Sequence, residues 1–157
     1  MSHLQYDKSL QIQKPYIGDD QGAFVLGSNQ LEMVLIKSNK HHELLAEVWF
    51  SRKSTGPPGH VHGGCQAAVL DEMMGATGWK HGFSVVAAKI EVEFLNMIPV
   101  EKQYQVRGQI VSQDKRKIFI EAEIFSKEKI YAKSKGLFIV LTPEQLTTLD
   151  AERNKQN

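Results

Sequence analysis

Apolar residues recur at every second position over three stretches in the second half of the chain. Ile90, Val92 and Phe94 alternate with Lys89, Glu91 and Glu93. Tyr104, Val106, Gly108 and Ile110 alternate with Gln103, Gln105, Arg107 and Gln109. Ile118, Ile120, Ala122 and Ile124 share one parity, and Glu121 and Glu123 belong to the other. Successive side chains of a strand point to opposite faces, so this pattern predicts antiparallel strands with one covered and one wetter face. Residues 112–116 and 126–129 are short and polar enough to be hairpin connections, and a last strand follows over about residues 130–141. Upstream, residues 31–36 and 44–50 read as two more strands around a turn-like, polar segment at 37–42.

Between these groups the spacing changes. Residues 65 to about 80 read as one long helix, in which positions three and four apart share a face. Gly64, Ala68, Asp71, Gly75 and Gly78 then form a stripe of small residues around one carboxylate, while Val69, Leu70, Met73 and Met74 supply bulk elsewhere. A stripe without bulk lets another backbone or a ligand come close. A carboxylate in an apolar helix is costly unless it is hydrogen-bonded or used in chemistry. The plain alternative is tight packing on the sheet, with Asp71 capping a buried amide. Glu72 points about 100° away from Asp71, so the stripe selects Asp71. A sheet with one apolar face needs a cover, and only this helix is long enough. The pattern therefore predicts an α+β domain, a central helix followed by an antiparallel meander. Thr142-Pro143-Glu144 has the residues of an N-cap and first turn, which starts a short C-terminal helix.

Residues 56–64 read Gly-Pro-Pro-Gly-His-Val-His-Gly-Gly and lead straight into the helix. First-turn amides have no partner inside a helix, and the dipole favours negative charge there. If Gly63 or Gly64 begins the helix, its N–H can bind a carbonyl oxygen as charge develops on it, with no side chain in the way. His62 then orients the turn or the carbonyl; a structural histidine bonded to backbone is the equal alternative. Gly63 and Asp71 are eight residues apart, roughly 12 Å along a helix. A base and an oxyanion donor must both reach one reacting group, so the second component has to come from another copy at a two-fold interface.

Composition narrows the classes. The 157 residues suit one domain with a proper core. A formal net charge of +1 speaks against a dedicated nucleic-acid binder. Cys65 is the only cysteine, which excludes an intrachain disulfide and fits a reducing, cytoplasmic setting. No apolar run is long enough to span a bilayer, so no membrane is expected as a partner. The expected division is a lead-in over residues 1–20, the main domain over 21–145, and a C-terminal helix or tail over 146–157.

The run from Gly56 through His62-Gly63-Gly64 to Asp71-Glu72-Met73-Met74-Gly75 resembles the hotdog-fold thioesterase superfamily, in particular its phenylacetic-acid-degradation (PaaI-like) branch. The likeness spans about residues 56–141; Ala87-Ala88-Lys89-Ile90 is similar to the family's Thr-Ala-x-Leu strand, and Pro99 to the proline that ends it. The resemblance implies a hotdog fold and hydrolysis of acyl-coenzyme A thioesters. It implies a homodimer, or a dimer of dimers, with no cofactor beyond the coenzyme A of the substrate and no metal. Carried over, Asp71 is general base or nucleophile, Gly63 is the oxyanion donor of the opposite subunit, and His62 and Gly64 support the turn. Gly56, Ala87 and Ala88 would lie along the substrate. The chain departs from the pattern at Ala87, where many relatives have Ser or Thr to position water or the acid, and at Gly56, where some have Asn. Ser84 has the wrong strand parity to replace that hydroxyl.

Two further readings follow. A non-catalytic hotdog binding acyl-CoA or another apolar ligand is motivated by Ala87, and hydratase chemistry with His62 as base is a third reading. Elsewhere, His60 with His62, and His41-His42-Glu43, lack a definite third metal ligand. Cys65 at a first turn has no paired base and reads as a packing residue. Lys115-Arg116-Lys117, Lys133 and Lys135 read as solvated surface sooner than as phosphate ligands.

Overall fold

The computed structural model describes residues 1–15 and 24–156. Six strands form one antiparallel sheet: β1 (Leu31–Lys37), β2 (Glu43–Phe50), β3 (Val85–Phe94), β4 (Gln103–Asp114), β5 (Lys117–Ser126) and β6 (Lys129–Val140). Helix α1 (Gly63–Lys80) lies against the sheet, and α2 (Pro143–Gln156) ends the chain. This is the hotdog architecture, and the alternating apolar sets of β4 and β5 lie where the pattern placed them. Tyr104, Val106, Ile110, Ile118, Ile120, Ala122 and Ile124 are all buried under α1. The helix answers with Val69, Leu70, Met73 and Met74, which have no exposed surface.

The glycines set how close the two layers come. A Cβ on Gly108 in β4 would collide with Thr77 Oγ1 and lie 3.2 Å from the Met73 carbonyl oxygen. Gly136 in β6 has the same relation to Met74, whose Sδ would be 2.9 Å from an added Cβ. Removing side-chain bulk from the sheet at these points is what lets α1 sit close.

Three details differ from the sequence reading. The hairpin turns are tighter, with strands running to Asp114 and Ser126, and Lys115 and Lys127 adopt φ of 54° and 56° at the turn corners. The C-terminal helix begins at Pro143 as the Thr142-Pro143-Glu144 cap predicts, but it is 14 residues long and not short, with a reciprocal cap between Thr142 and Gln145 at 2.8 and 3.2 Å. The order β1-β2-β4-β5-β6-β3 also breaks the simple meander, because β3 crosses to the far edge beside β6. The connection from β3 to β4 spans residues 95–102, too long for the tight hairpin that a meander neighbour uses.

The β1 edge is covered by the chain's own start. Ile12 N–H donates to the Leu35 carbonyl at 3.0 Å, and Gln11 bridges to Ile36. Ahead of that, Gln5 and Gln103 exchange hydrogen bonds of 2.8 and 2.7 Å, and the His3 ring stacks on Trp49 at 3.8 Å. The lead-in has a single 3-10 turn, Lys8–Leu10; the rest of it, from residue 16, and the expected domain start at residue 21 lie outside the described residues.

Among the described residues the β3 edge is bare. Its register on β6 shifts between Ala87 and Lys89, so Ala88 is a bulge without a cross-strand partner. The extra residue keeps Val85 and Ala87 on the same face as Ile90, Val92 and Phe94, since these pair with Val140, Phe138, Gly136, Ser134 and Ala132. That is the helix-facing side of the sheet, yet Phe94 is 55% exposed and Ile90 36%.

Candidate active site

Helix α1 begins at Gly63, two residues before the predicted start, and His62 is its N-cap. The His62 Nδ1 accepts the Gly64 N–H at 2.8 Å. An accepting Nδ1 puts the ring proton on Nε2. The sequence left Gly63 and Gly64 open as oxyanion donors, and the geometry separates them. Gly64 spends its amide on His62, while the Gly63 N–H has no acceptor among the described residues. Two further bonds, from the Cys65 and Gln66 amides to the His62 carbonyl at 3.0 and 3.1 Å, close the first turn.

Gly56 holds this entrance from behind. A Cβ there would lie 2.8 Å from His62 Cα, so only glycine permits the approach. The segment is tied in by Gly56 N–H to the His60 carbonyl at 2.9 Å and by His62 N–H to the Ser54 carbonyl at 2.8 Å. The His60 ring turns away to the Pro58 carbonyl through Nδ1 at 2.8 Å. Phe94 stands beside Gly63, its ring 3.4 Å from where a Cβ would be. With Pro57, His60, Gln66 and Met97 it lines a cavity of about 280 Å³ at the helix entrance.

Asp71 lies eight residues further along α1. It is half-buried, with no hydrogen bond or ion pair among the described residues, and burial pushes its carboxyl above the ordinary aspartate range. Glu72 is also raised by burial, but it sits within the field of Lys14, which pulls it back down. The two neighbouring acids therefore have different surroundings. The small stripe is only partly open: Gly64, Ala68 and Gly75 are accessible, whereas Gly78 is packed beneath Val85 and Ile120 and serves the helix–sheet contact.

Ala87 lies on the helix-facing side of β3 opposite Phe138 but is exposed there, and the Phe138 ring lies 3.8 Å from where a Cβ on Gly75 would be. Ala87 is thus on the side of the sheet toward which Asp71's part of the helix is packed, and it brings a methyl group there. Ala88, at the bulge, is exposed. The fold collects Gly56, His62, Gly63 and Gly64 at the helix entrance, and places Asp71, Ala87 and Ala88 further along.

Other candidates separate from this group. Burial raises the Cys65 thiol to about 11, so at neutral pH it is a thiol and not a nucleophile. It packs against the core and, with Ala68, Phe24 and Leu31, lines a second cavity of about 340 Å³. Among the described residues no three His, Cys, Asp or Glu side chains stand so as to hold a metal ion. His41 and His42 stack on each other at 3.8 Å at the far turn. Lys133 and Lys135 lie across from Glu93 and Glu91 on the outer face of the sheet. The residue that the pattern did not single out is Gln66, which is 5% exposed and whose Oε1 has no donor among the described residues. A polar residue on the buried face of the helix, one turn after its start, was the available signal.

A profile of the thioesterase superfamily matches residues 58–132. Acyl-coenzyme A thioesterase THEM5 of Homo sapiens is 30% identical over 92 residues, which are 57% of this chain and 37% of that protein. The chain thus spans well under half the length of that curated relative. A crystal structure of a thioesterase superfamily protein matches with a TM-score of 0.65 at 27% identity, covering 69% of this chain and 53% of the other. A phenylacetic acid degradation-related protein from Ralstonia eutropha JMP134 shares the fold, with a TM-score of 0.63 at 17% identity over 69% of this chain and 84% of that one. No described helix is long and apolar enough to cross a membrane.

Proposed function

From the likeness of residues 58–132 to the thioesterase superfamily we propose that this chain hydrolyses the thioester of an acyl- or aryl-coenzyme A. One observation carries the mechanism: Asp71 is half-buried and unpartnered among the described residues, on a helix whose entrance holds an open Gly63 N–H. Asp71 takes a proton from water as the water oxygen bonds to the acyl carbon, the carbonyl oxygen gains charge, and the C–S bond then breaks. The departing thiolate recovers the proton from Asp71. Direct attack by the carboxylate, followed by hydrolysis of the acyl-enzyme anhydride, uses the same groups. A raised carboxyl pKa favours proton transfer near neutral pH.

The Gly63 N–H meets the carbonyl oxygen where negative charge develops. Spacing along α1 requires that Gly63 and the working Asp71 come from different copies. The bare β3 edge, with Ile90 and Phe94 uncovered on the helix side, is the surface that suits a two-fold pairing into a homodimer. His62 acts through the turn, holding Gly64 so that Gly63 stays free. The name of the human relative supports the acyl-CoA class, and the lone protonated thiol suits a reducing cytoplasm.

A second reading is favoured by one feature. Ala87 brings a methyl to the inner face of β3 where a hydroxyl would hold water, which fits a hotdog protein that binds acyl-CoA without turnover. Thiol release from short, long and aryl acyl-CoAs, by wild type and Asp71→Asn side by side, separates the two. Release by wild type alone is expected; binding without release by either protein would select the second reading.

A further inference from the structure

Gln66 has two ends with different fates. Helical side chains lean toward the helix N-terminus, and Gln66 Nε2 accordingly reaches back to donate to the Val61 carbonyl at 3.1 Å. That bond fixes which end is which, because the reversed amide would set two oxygens against each other. The Oε1 is left buried with no donor among the described residues, and it is the single buried side-chain polar atom among them in that condition. A buried unsatisfied carbonyl costs about 1–3 kcal/mol, so its retention calls for a use. Gln66 belongs to the wall of the cavity that also holds Gly63, and the cavity is lined as well by Phe94, Leu95 and Met97, which are 46–56% exposed.

Resting on the thioesterase reading above, we propose that Gln66 Oε1 accepts the amide N–H nearest the thioester sulfur in the pantetheine arm of coenzyme A. The spacing agrees. Two methylenes separate that nitrogen from sulfur, which puts it about 5 Å from the thioester carbon by ordinary bond lengths. Residues three apart on a helix face are about 5–6 Å from each other, and Gly63 and Gln66 are three apart. A carbonyl oxygen on the Gly63 N–H therefore brings the amide alongside Gln66. The ligand supplies the missing donor, and the apolar methylenes lie against Phe94 and Met97. Gln66 is a substrate-binding residue acting in ground state and transition state alike, so its loss belongs in KM.

The test compares wild type with Gln66→Leu on three thioesters of one acyl group, the one wild type turns over fastest from the panel above: the coenzyme A ester, the N-acetylcysteamine ester and an ethanethiol ester that has no amide. Expected is an approximately tenfold fall in kcat/KM, through KM, on the first two and no change on the third. An equal fall on all three would make Gln66 merely structural and overturn the proposal while leaving the hydrolase intact; no fall on any would overturn it too. If wild type hydrolyses none of the three, the thioesterase reading fails on its own. The proposal is then decided by calorimetry with coenzyme A, where wild type must bind about tenfold more tightly than Gln66→Leu. Equal binding, or none, overturns it.

Discussion

At the β1 edge the chain covers itself, with Gln11 and Ile12 pairing onto Leu35 and Ile36 and His3 stacked on Trp49; at the β3 edge the described residues leave ladder groups open and apolar side chains exposed. Both are ends of one sheet, so the difference is not a matter of strand propensity. An uncovered edge with exposed apolar residues invites pairing with another chain, and natural sheets normally blunt it. The β1 edge is blunted. The β3 edge carries Phe94 beside Gly63 instead, which puts the unfinished surface next to the proposed chemistry.

The strongest way to break this contrast acts on chemistry alone. Asp71→Asn should lower hydrolysis by about 10²–10⁴-fold while leaving the fold and the oligomeric mass unchanged, as read by thiol release and light scattering. Full activity would remove Asp71 from the mechanism. Phe94→Glu should act on the edge instead. A charge at a desolvated pairing surface should weaken association about 30-fold or more and reduce activity in parallel. An active monomer would end the idea that two copies share the site.

Gly56→Ala sharpens the contrast from the helix entrance. The added Cβ meets the His62 backbone at 2.8 Å, so the turn must shift and kcat should fall about tenfold without change in oligomeric mass. A smaller effect concerns pH. Burial raises the folded pKa of Asp71, so its ionisation costs the native state stability. That cost is present above the folded pKa and disappears as pH falls toward the unfolded value of about 3.9. Asp71→Asn should therefore be slightly more stable than wild type at pH 7–8, by less than about 1 kcal/mol after solvent screening, and equal to it near pH 4. Denaturant titrations at both pH values read this directly. Least of all, His3→Ala at the finished edge removes a stack and an exposed bond to Glu32; it should cost under about 1 kcal/mol and leave thiol release unchanged.

Much of the frame was legible because local rules govern it. Ile118, Ile120, Ala122 and Ile124 lie inward as their parity required, and Thr142 caps a helix that Pro143 begins. The His-Gly-Gly entrance and the eight-residue step to Asp71 were visible as spacing. Less legible was the placement of β3. Its alternation says which residues share a face, but the crossover to β6 depends on where β4 finds its partner, and the bulge at Ala88 resets the parity of Val85 and Ala87.

Taken alone, the sequence determined the alternating strands, the long helix with its small-residue stripe and the chemistry-bearing residues of its first three turns, because strand period, helix period and capping act over a few residues. Only the tertiary structure decided that Gly64 gives its amide to His62 and Gly63 does not, that Gly78 belongs to packing, and that among the described residues Gln66 buries an unmet acceptor and one sheet edge is covered while the other is bare. The packing of Gly78 and the fate of the two edges depend on groups that meet across long stretches of chain. The His62–Gly64 and Gln66–Val61 bonds are local but join groups that have more than one partner within reach, and the sequence does not record which is taken.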